Sequence, residues 1–137
     1  MSKVKARSVG PQYISDSLGS IWATPKTKIL SGSIVAVTGT TSNTFLIESA
    51  SNQSIRRSSG LMYVLKHTAM GGQRIVASTT LILPYMGEKK VKDGDAIWLG
   101  RDGVWTLNKP KTRPIQVGRI LGSGDSAQVL LAPQGRY

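Results

Sequence analysis

The sequence predicts an all-β protein, a small single-domain β-barrel or sandwich of about eight short, hairpin-rich strands with an extended N-terminal arm. Three observations predict this class. Runs of strand-forming residues recur, with turn residues between them at intervals of about 8–12 positions. The chain of 137 residues holds 15 Gly and 6 Pro, which is typical of frequent turns. No amphipathic periodicity long enough for a helix of more than about two turns is present.

The chain is short enough to form one domain, and we expect an N-terminal arm to precede this domain. Residues 1–30 are predicted to form an extended basic N-terminal arm, because Gly10-Pro11 and Thr24-Pro25 interrupt a segment without periodicity. A frayed terminus is the alternative, although a disordered tail seldom carries both a tyrosine and a tryptophan. Residues 31–137 are predicted to form the β-rich domain.

The first strands of the domain come in quick succession after Gly32. Ser33–Thr38 and Thr44–Ser49 are rich in strand formers, and a polar turn separates them. A polar loop at residues 50–60 carries Arg56 and Arg57 at its tip. The next predicted strands are Leu61–Lys66, Arg74–Ala77 and Thr79–Pro84.

A β-hairpin is predicted around Arg101-Asp102-Gly103, because Asp-Gly between two apolar runs is a strong hairpin signal. With a three-residue loop, Leu99 faces Trp105 and the large apolar side chains share one face, while Trp98 lies on the other. A two-residue loop would shift the strand pairing by one residue and would mix apolar and polar side chains on each face. We therefore expect Asp102 and Gly103 to form the structural turn, of type I with Gly103 in the left-handed conformation.

A second β-hairpin is expected near the C-terminus. Ile115–Leu121 and Ala127–Leu131 are predicted strands, with Gly122-Ser123-Gly124-Asp125 turning between them. Asn108–Pro114 contains two prolines, which donate no backbone hydrogen bond, so this segment is predicted to be a connection.

The charge of the chain indicates an anionic partner. The net charge is +11, and such a protein is drawn to nucleic acid, anionic lipid or an acidic protein surface. No apolar run is long enough to span a membrane, and no membrane partner is expected. The N-terminus is basic but lacks the apolar core of a signal peptide, so we expect the protein to stay in the cytoplasm where it is made.

Enzymatic chemistry is the weakest interpretation of the sequence. The chain has no cysteine and one histidine, His67, so neither a metal site nor a cofactor is expected. Four of the seven carboxylates lie beside glycine in turns, where Asp usually bonds its own backbone. No nucleophile motif and no phosphate-binding loop is present.

A basic single-stranded nucleic-acid-binding β-barrel remains an alternative. It would need aromatic platforms in a basic groove, and the candidates are Tyr63, Trp98 and Trp105. The arginines that could supply the positive charge of such a groove are Arg56, Arg57, Arg101 and Arg119. Core packing is the competing interpretation of these aromatics, and the expected register turns Trp105 inward.

The order of short motifs along residues 30–133 resembles that of a known protein class. The motifs are Leu30–Val35, Gly60–Tyr63, Gly72–Val76, Lys92–Leu99, Gln116–Leu121 and Ala127–Leu131. Together they resemble the small β-rich capsid decoration proteins of tailed bacteriophages, also called cement or head-stabilising proteins.

This resemblance implies a non-enzymatic virion protein that binds the outer surface of a phage head as a homotrimer and stabilises contacts between major capsid protein subunits. The partners would be the major capsid protein and the chain itself, with assembly in the host cytoplasm. An N-terminal arm would add a strand to a capsid sheet. The capsid-binding residues expected are Lys5, Arg7, Tyr13, Ile14 and Trp22, with Arg56 and Arg57 as further candidates. A head-completion or tail-tube protein is a third possibility.

Overall fold

The computed structural model describes residues 19–41, 43–135 and 137. Within these residues the chain forms ten strands and one 3-10 turn, with no α-helix, which confirms the predicted all-β class. The strands are β1 (Ile21–Pro25), β2 (Ile34–Thr40), β3 (Phe45–Ser49), β4 (Met62–Val64), β5 (Ile75–Ala77), β6 (Leu81–Pro84), β7 (Ala96–Leu99), β8 (Trp105–Thr106), β9 (Gln116–Leu121) and β10 (Gln128–Leu131).

The first sheet has the order β4-β2-β3-β1-β5 and curls until its two ends meet. A single antiparallel bridge joins Val64 at the end of β4 to Ser78 just after β5. The two residues exchange backbone hydrogen bonds of 2.8 and 2.9 Å. The first sheet therefore closes on itself as a small barrel, which leaves few unpaired backbone groups at its ends.

Strand β1 belongs to this barrel, although the sequence placed it in the N-terminal arm. It lies between β3, to which it pairs in parallel, and β5, to which it pairs antiparallel. Ile21, Ala23 and Pro25 point inward and are buried, while Trp22 points outward. Residues 1–18, which include Lys5, Arg7, Tyr13 and Ile14, lie outside the described residues, so the extended arm stays a prediction there.

The second sheet has the order β6-β10-β9-β7-β8, and all its neighbouring strands are antiparallel. Leu99 pairs with Trp105, which confirms the predicted hairpin register. The turn type differs from the expected one. Asp102 and Gly103 both have positive φ, +50° and +86°, and the Val104 N–H donates to the Arg101 carbonyl. This is the pattern of a type I′ turn, which Asp-Gly suits. The Gly100 N–H also donates to the Val104 carbonyl, so residues 101–103 still form a three-residue loop and the expected register is kept.

Strands β2 and β4 form a wall shared by two hydrophobic cores. Ile34, Ala36, Met62 and Val64 face the second sheet and pack in one core with Ile97, Leu99, Val117, Ile120, Val129 and Leu131. The alternate residues Val35 and Tyr63 face into the barrel and pack in the other core. This two-sided burial explains why both segments are continuous apolar runs in the sequence, without the alternation of a half-exposed strand.

The turn at Gly103 joins the second sheet to this wall. The Ile34 N–H donates to the Gly103 carbonyl at 3.0 Å, and the Gly103 N–H donates to the Ala50 carbonyl at 2.5 Å. A Cβ atom at position 103 would lie 3.1 Å from Cβ of Ser33 and 3.2 Å from the Ile34 carbonyl oxygen. Glycine is therefore needed there for two reasons, its positive φ and the close approach of the first sheet.

A second close approach, at Gly118 of β9, generates a stability prediction. A Cβ atom there would lie 1.9 Å from the Leu130 carbonyl oxygen of β10, so that backbone would have to move. We expect Gly118→Ala to lower the free energy of unfolding by roughly 3 kcal/mol or more. Urea denaturation measures this. Gly39→Ala is the matched control, because the nearest atom to its new Cβ would be 3.5 Å away, and an equal loss in both variants would contradict the account.

Candidate interaction site

The described residues include exposed apolar and basic side chains that lie close together on the surface. Among them no group of three or more His, Cys, Asp or Glu residues could hold a metal ion. His67 is exposed after β4. The described part of the chain contains no helical segment that could span a lipid bilayer. Two patches of exposed apolar and basic side chains are considered below as candidate sites.

The Trp22 patch, formed by Trp22, Arg74 and Val76, lies on the outer face of the barrel. Trp22 and Val76 are paired across β1 and β5 and are 39% and 44% exposed. The Arg74 guanidinium lies over the indole, 4.3 Å from the ring centroid. Such a cation–π contact holds the indole in one orientation and contributes about 0.5–1 kcal/mol at an exposed site. An ordered Trp and Arg are the residue types most enriched at the centres of protein interfaces.

Arg56 and Arg57, both predicted capsid-binding residues, have partners within the fold. Arg56 forms a two-bonded ion pair with Glu48 of β3. Arg57 donates to Asp102 at 3.1 Å and to the Ser49 carbonyl at 3.3 Å. Arg57 thus links the loop at residues 50–60 to the hairpin turn of the second sheet. A role in capsid binding stays a prediction for both.

The Arg56–Glu48 pair shifts the titration of both groups. The hydrogen bond from Arg56 is the main cause that lowers the pKa of Glu48 from 4.5 to about 2, assisted by a hydrogen bond from Thr38. Partial burial acts in the opposite direction. The same contact raises the pKa of Arg56. The pair is therefore fully ionised near neutral pH and holds the loop against β3.

The three proposed stacking platforms do not form a row. Tyr63 is buried in the barrel core, and Trp105 packs half-buried against the core between the sheets. Trp98 alone of the three faces outward, as the hairpin register predicted. Arg101 is exposed. Arg119 forms an ion pair with Asp93, with 3.7 Å between its guanidinium nitrogen and the carboxylate oxygen. A groove lined by successive aromatic platforms, which single-strand binding requires, is not formed by these residues.

Sequence reasoning missed the basic cleft beside Trp98. This Trp98 cleft lies between the loop that carries Lys89 and Lys90 and the segment that follows β8. Lys109 places its ammonium 5.2 Å from the centroid of the Trp98 ring. The cluster of lysines at positions 89, 90 and 92 was visible in the sequence, but its proximity to Trp98 and Lys109 arises only from the fold.

Comparison with known proteins gives one structural likeness. No family model matches the chain, and no curated protein matches it. The fold is similar to that of the head fiber gp8.5 N base in bacteriophage phi29, with a TM-score of 0.52 and 16% sequence identity. The likeness covers 83% of this chain and 93% of that one. At this identity it shows a shared fold, which extends over nearly the whole of the matched chain.

The Glu48 ion pair predicts a pH-dependent contribution to stability. Glu48→Gln is expected to lower the free energy of unfolding by about 1 kcal/mol at pH 7, because it removes a partly exposed charge pair. The folded-state pKa of about 2 lies below the ordinary 4.5, so the carboxylate stabilises the fold above pH 4.5. That contribution is lost as the pH falls through 2.

Urea unfolding of both proteins from pH 7 down to pH 2 measures this difference, which should shrink toward zero in acid. Glu88→Gln, at an exposed position, is the matched control and should show no such trend. A Glu48→Gln difference that stays constant with pH would contradict the ion-pair account.

Proposed function

We propose that this chain is a structural protein of a bacteriophage virion, which binds the outer surface of the head as a homotrimer and stabilises contacts between major capsid protein subunits. The observation that carries the proposal is the fold shared with the head fiber base of phage phi29 over 83% of the chain. The order of motifs along residues 30–133, which resembles that of capsid decoration proteins, supports it independently.

The surface of the described body suits adhesion. The Trp22 patch presents an ordered indole and guanidinium on the barrel, and a net charge of +11 would speed association with an acidic shell. Many copies bound to one particle would resist its rupture jointly, since linked sites add avidity without new contacts. These features supply binding energy without requiring a reactive group.

The N-terminal arm is the second part of the proposed attachment. The described body begins at Gly19. This residue lies next to the Thr79 side chain, shortly before β6. An extended segment of the length of residues 1–18 can reach roughly 60 Å. In the proposal this arm adds a strand to a capsid sheet, with Lys5, Arg7, Tyr13 and Ile14 in contact with the shell.

One observation favours the second candidate, a single-stranded nucleic-acid-binding module. Trp98 is an outward-facing aromatic residue close to Lys89, Lys90 and Lys109. That candidate predicts affinity that falls steeply with salt and quenching of tryptophan fluorescence by oligonucleotides.

A ring of six or twelve copies at the neck or tail would instead support the head-completion or tail-tube alternative.

Binding to purified heads that lack this chain tests the first proposal. We expect wild-type protein to bind in sets of three at local three-fold positions, visible by image reconstruction. Trp22→Ala should weaken binding at least about tenfold, because truncating a central interface tryptophan typically costs 2 kcal/mol or more.

Ile82→Ala provides the matched control, since Ile82 is an exposed apolar residue on the other sheet, 53% exposed. It should bind as the wild type does. Binding that is lost with Ile82→Ala and kept with Trp22→Ala would move the interface to the second sheet. Failure of the wild type to bind the heads would refute the proposed function.

A further inference from the structure

The Trp98 cleft gathers basic side chains from two separate segments around one tryptophan. Its volume is about 260 Å³. Lys89 and Lys90 come from the loop before β7, and Leu107 comes from the segment after β8. Val91, Asp95, Ala96 and Trp98 complete the lining. The cleft therefore places two lysines beside a tryptophan and a leucine.

Two of the lysines are held in place beside the cleft. The Lys89 ammonium donates to the Asn108 side-chain oxygen at 3.2 Å. The next residue along, Lys109, sets its ammonium over the Trp98 ring at 5.2 Å from the centroid. These two contacts place lysines from separate segments on the same side of the second sheet.

No lysine at the cleft forms an ion pair with a carboxylate of the described residues. The ion pairs within that part of the chain join Glu48, Asp102 and Asp93 to arginines, and none includes a lysine. Asp95 does line the cleft, but its Oδ2 accepts the backbone N–H of Lys92 at 2.8 Å. The sequence also has no acidic residue between positions 102 and 125. Three lysines at positions 89, 90 and 109 stand against the single carboxylate of Asp95, so the side chains at the cleft carry a net positive charge.

We infer that the Trp98 cleft is a docking site for a carboxylate side chain of an acidic protein partner. This inference rests on the proposed function, in which that partner is the shell of the head. The carboxylate would accept hydrogen bonds from the Lys89 and Lys109 ammoniums, and its methylene stem would lie against Leu107. Charge-assisted hydrogen bonds of this kind are about twice as strong as neutral ones.

The geometry favours a protein carboxylate over a nucleic acid. Lys109 already lies over the Trp98 ring, at the position where a base would have to stack. The volume of about 260 Å³ falls below the range of roughly 300–1,000 Å³ that small-molecule sites occupy. A cleft of this volume accommodates one carboxylate side chain. No further outward-facing aromatic among the named platforms continues the cleft, since Tyr63 and Trp105 face the cores.

Such a site would give the body a second, orienting contact with its partner. Charge complementarity raises the association rate and fixes the register of docking more than it raises affinity. The Trp22 patch lies on the first sheet and the Trp98 cleft on the second. Two contacts on different sheets would define the orientation of a bound copy.

Titration of the full-length protein with a peptide of eight glutamates tests the inference. The backbone and indole N–H signals are followed by two-dimensional NMR, and the Trp98 indole is assigned from its absence in Trp98→Phe. We expect the peptide to shift the Trp98 indole. The double variant Lys89→Gln/Lys109→Gln should bind the peptide at least about tenfold more weakly, a loss of about 1.4 kcal/mol.

The double variant Lys28→Gln/Lys66→Gln is the matched control, because it removes the same charge from exposed positions on the barrel. It should bind the peptide within about twofold of the wild type, as expected for exposed charges distant from a site. Equal losses in both double variants would overturn the inference, since they would show that only total charge matters. Tighter binding of an eight-residue oligothymidylate, with a larger shift of the Trp98 indole, would also overturn it and identify a nucleic-acid site.

Binding of the same variants to heads separates this inference from the proposed function. If wild-type protein binds heads and Lys89→Gln/Lys109→Gln binds them equally well, the cleft is not a capsid contact, and the virion role stands. If the wild type does not bind heads but binds the peptide at Trp98, the proposed function fails while the carboxylate site is retained.

Discussion

Burial of β2 and β4 on both faces is the constraint on which the rest of the structure depends. The six residues Ile34–Ala36 and Met62–Val64 are each at most 6% exposed. Their side chains alternate between the barrel core and the core between the sheets. Neither sheet could shift its register without moving side chains from one core into the other. The Gly103 turn adds backbone hydrogen bonds across the same junction.

This arrangement leaves side chains on the outer faces of the two sheets exposed to solvent. The Trp22 patch lies outside the barrel, and the Trp98 cleft lies outside the second sheet. Both combine an aromatic ring with a cation, held at 4.3 and 5.2 Å from the ring centroid. A body with two buried cores, closed at Val64 and Ser78, can present such surfaces with little loss of conformational entropy on binding.

Local patterns predicted most of the strands, and non-local pairing accounts for what they missed. The Asp-Gly signal and the alternation around it predicted the pairing of Leu99 with Trp105. Strand β1 was missed because its partners β3 and β5 are distant in sequence and its alternation spans only five residues. The Trp98 cleft was missed for the same reason, since Lys89 and Asn108 are 19 residues apart. The positive φ of Asp102 depends on the twist of the hairpin, which composition does not reveal.

Native-state hydrogen exchange of backbone amides tests the shared wall most directly. If β2 and β4 couple the two cores, amides of β1, β3, β9 and β10 should open with one common free energy, equal to that of global unfolding by urea. The slowest amides should include those of Val35 and Tyr63, in the centre of the wall. Barrel amides that open with a free energy several kcal/mol below those of β9 and β10 would contradict the account, because they would show that the barrel unfolds by itself.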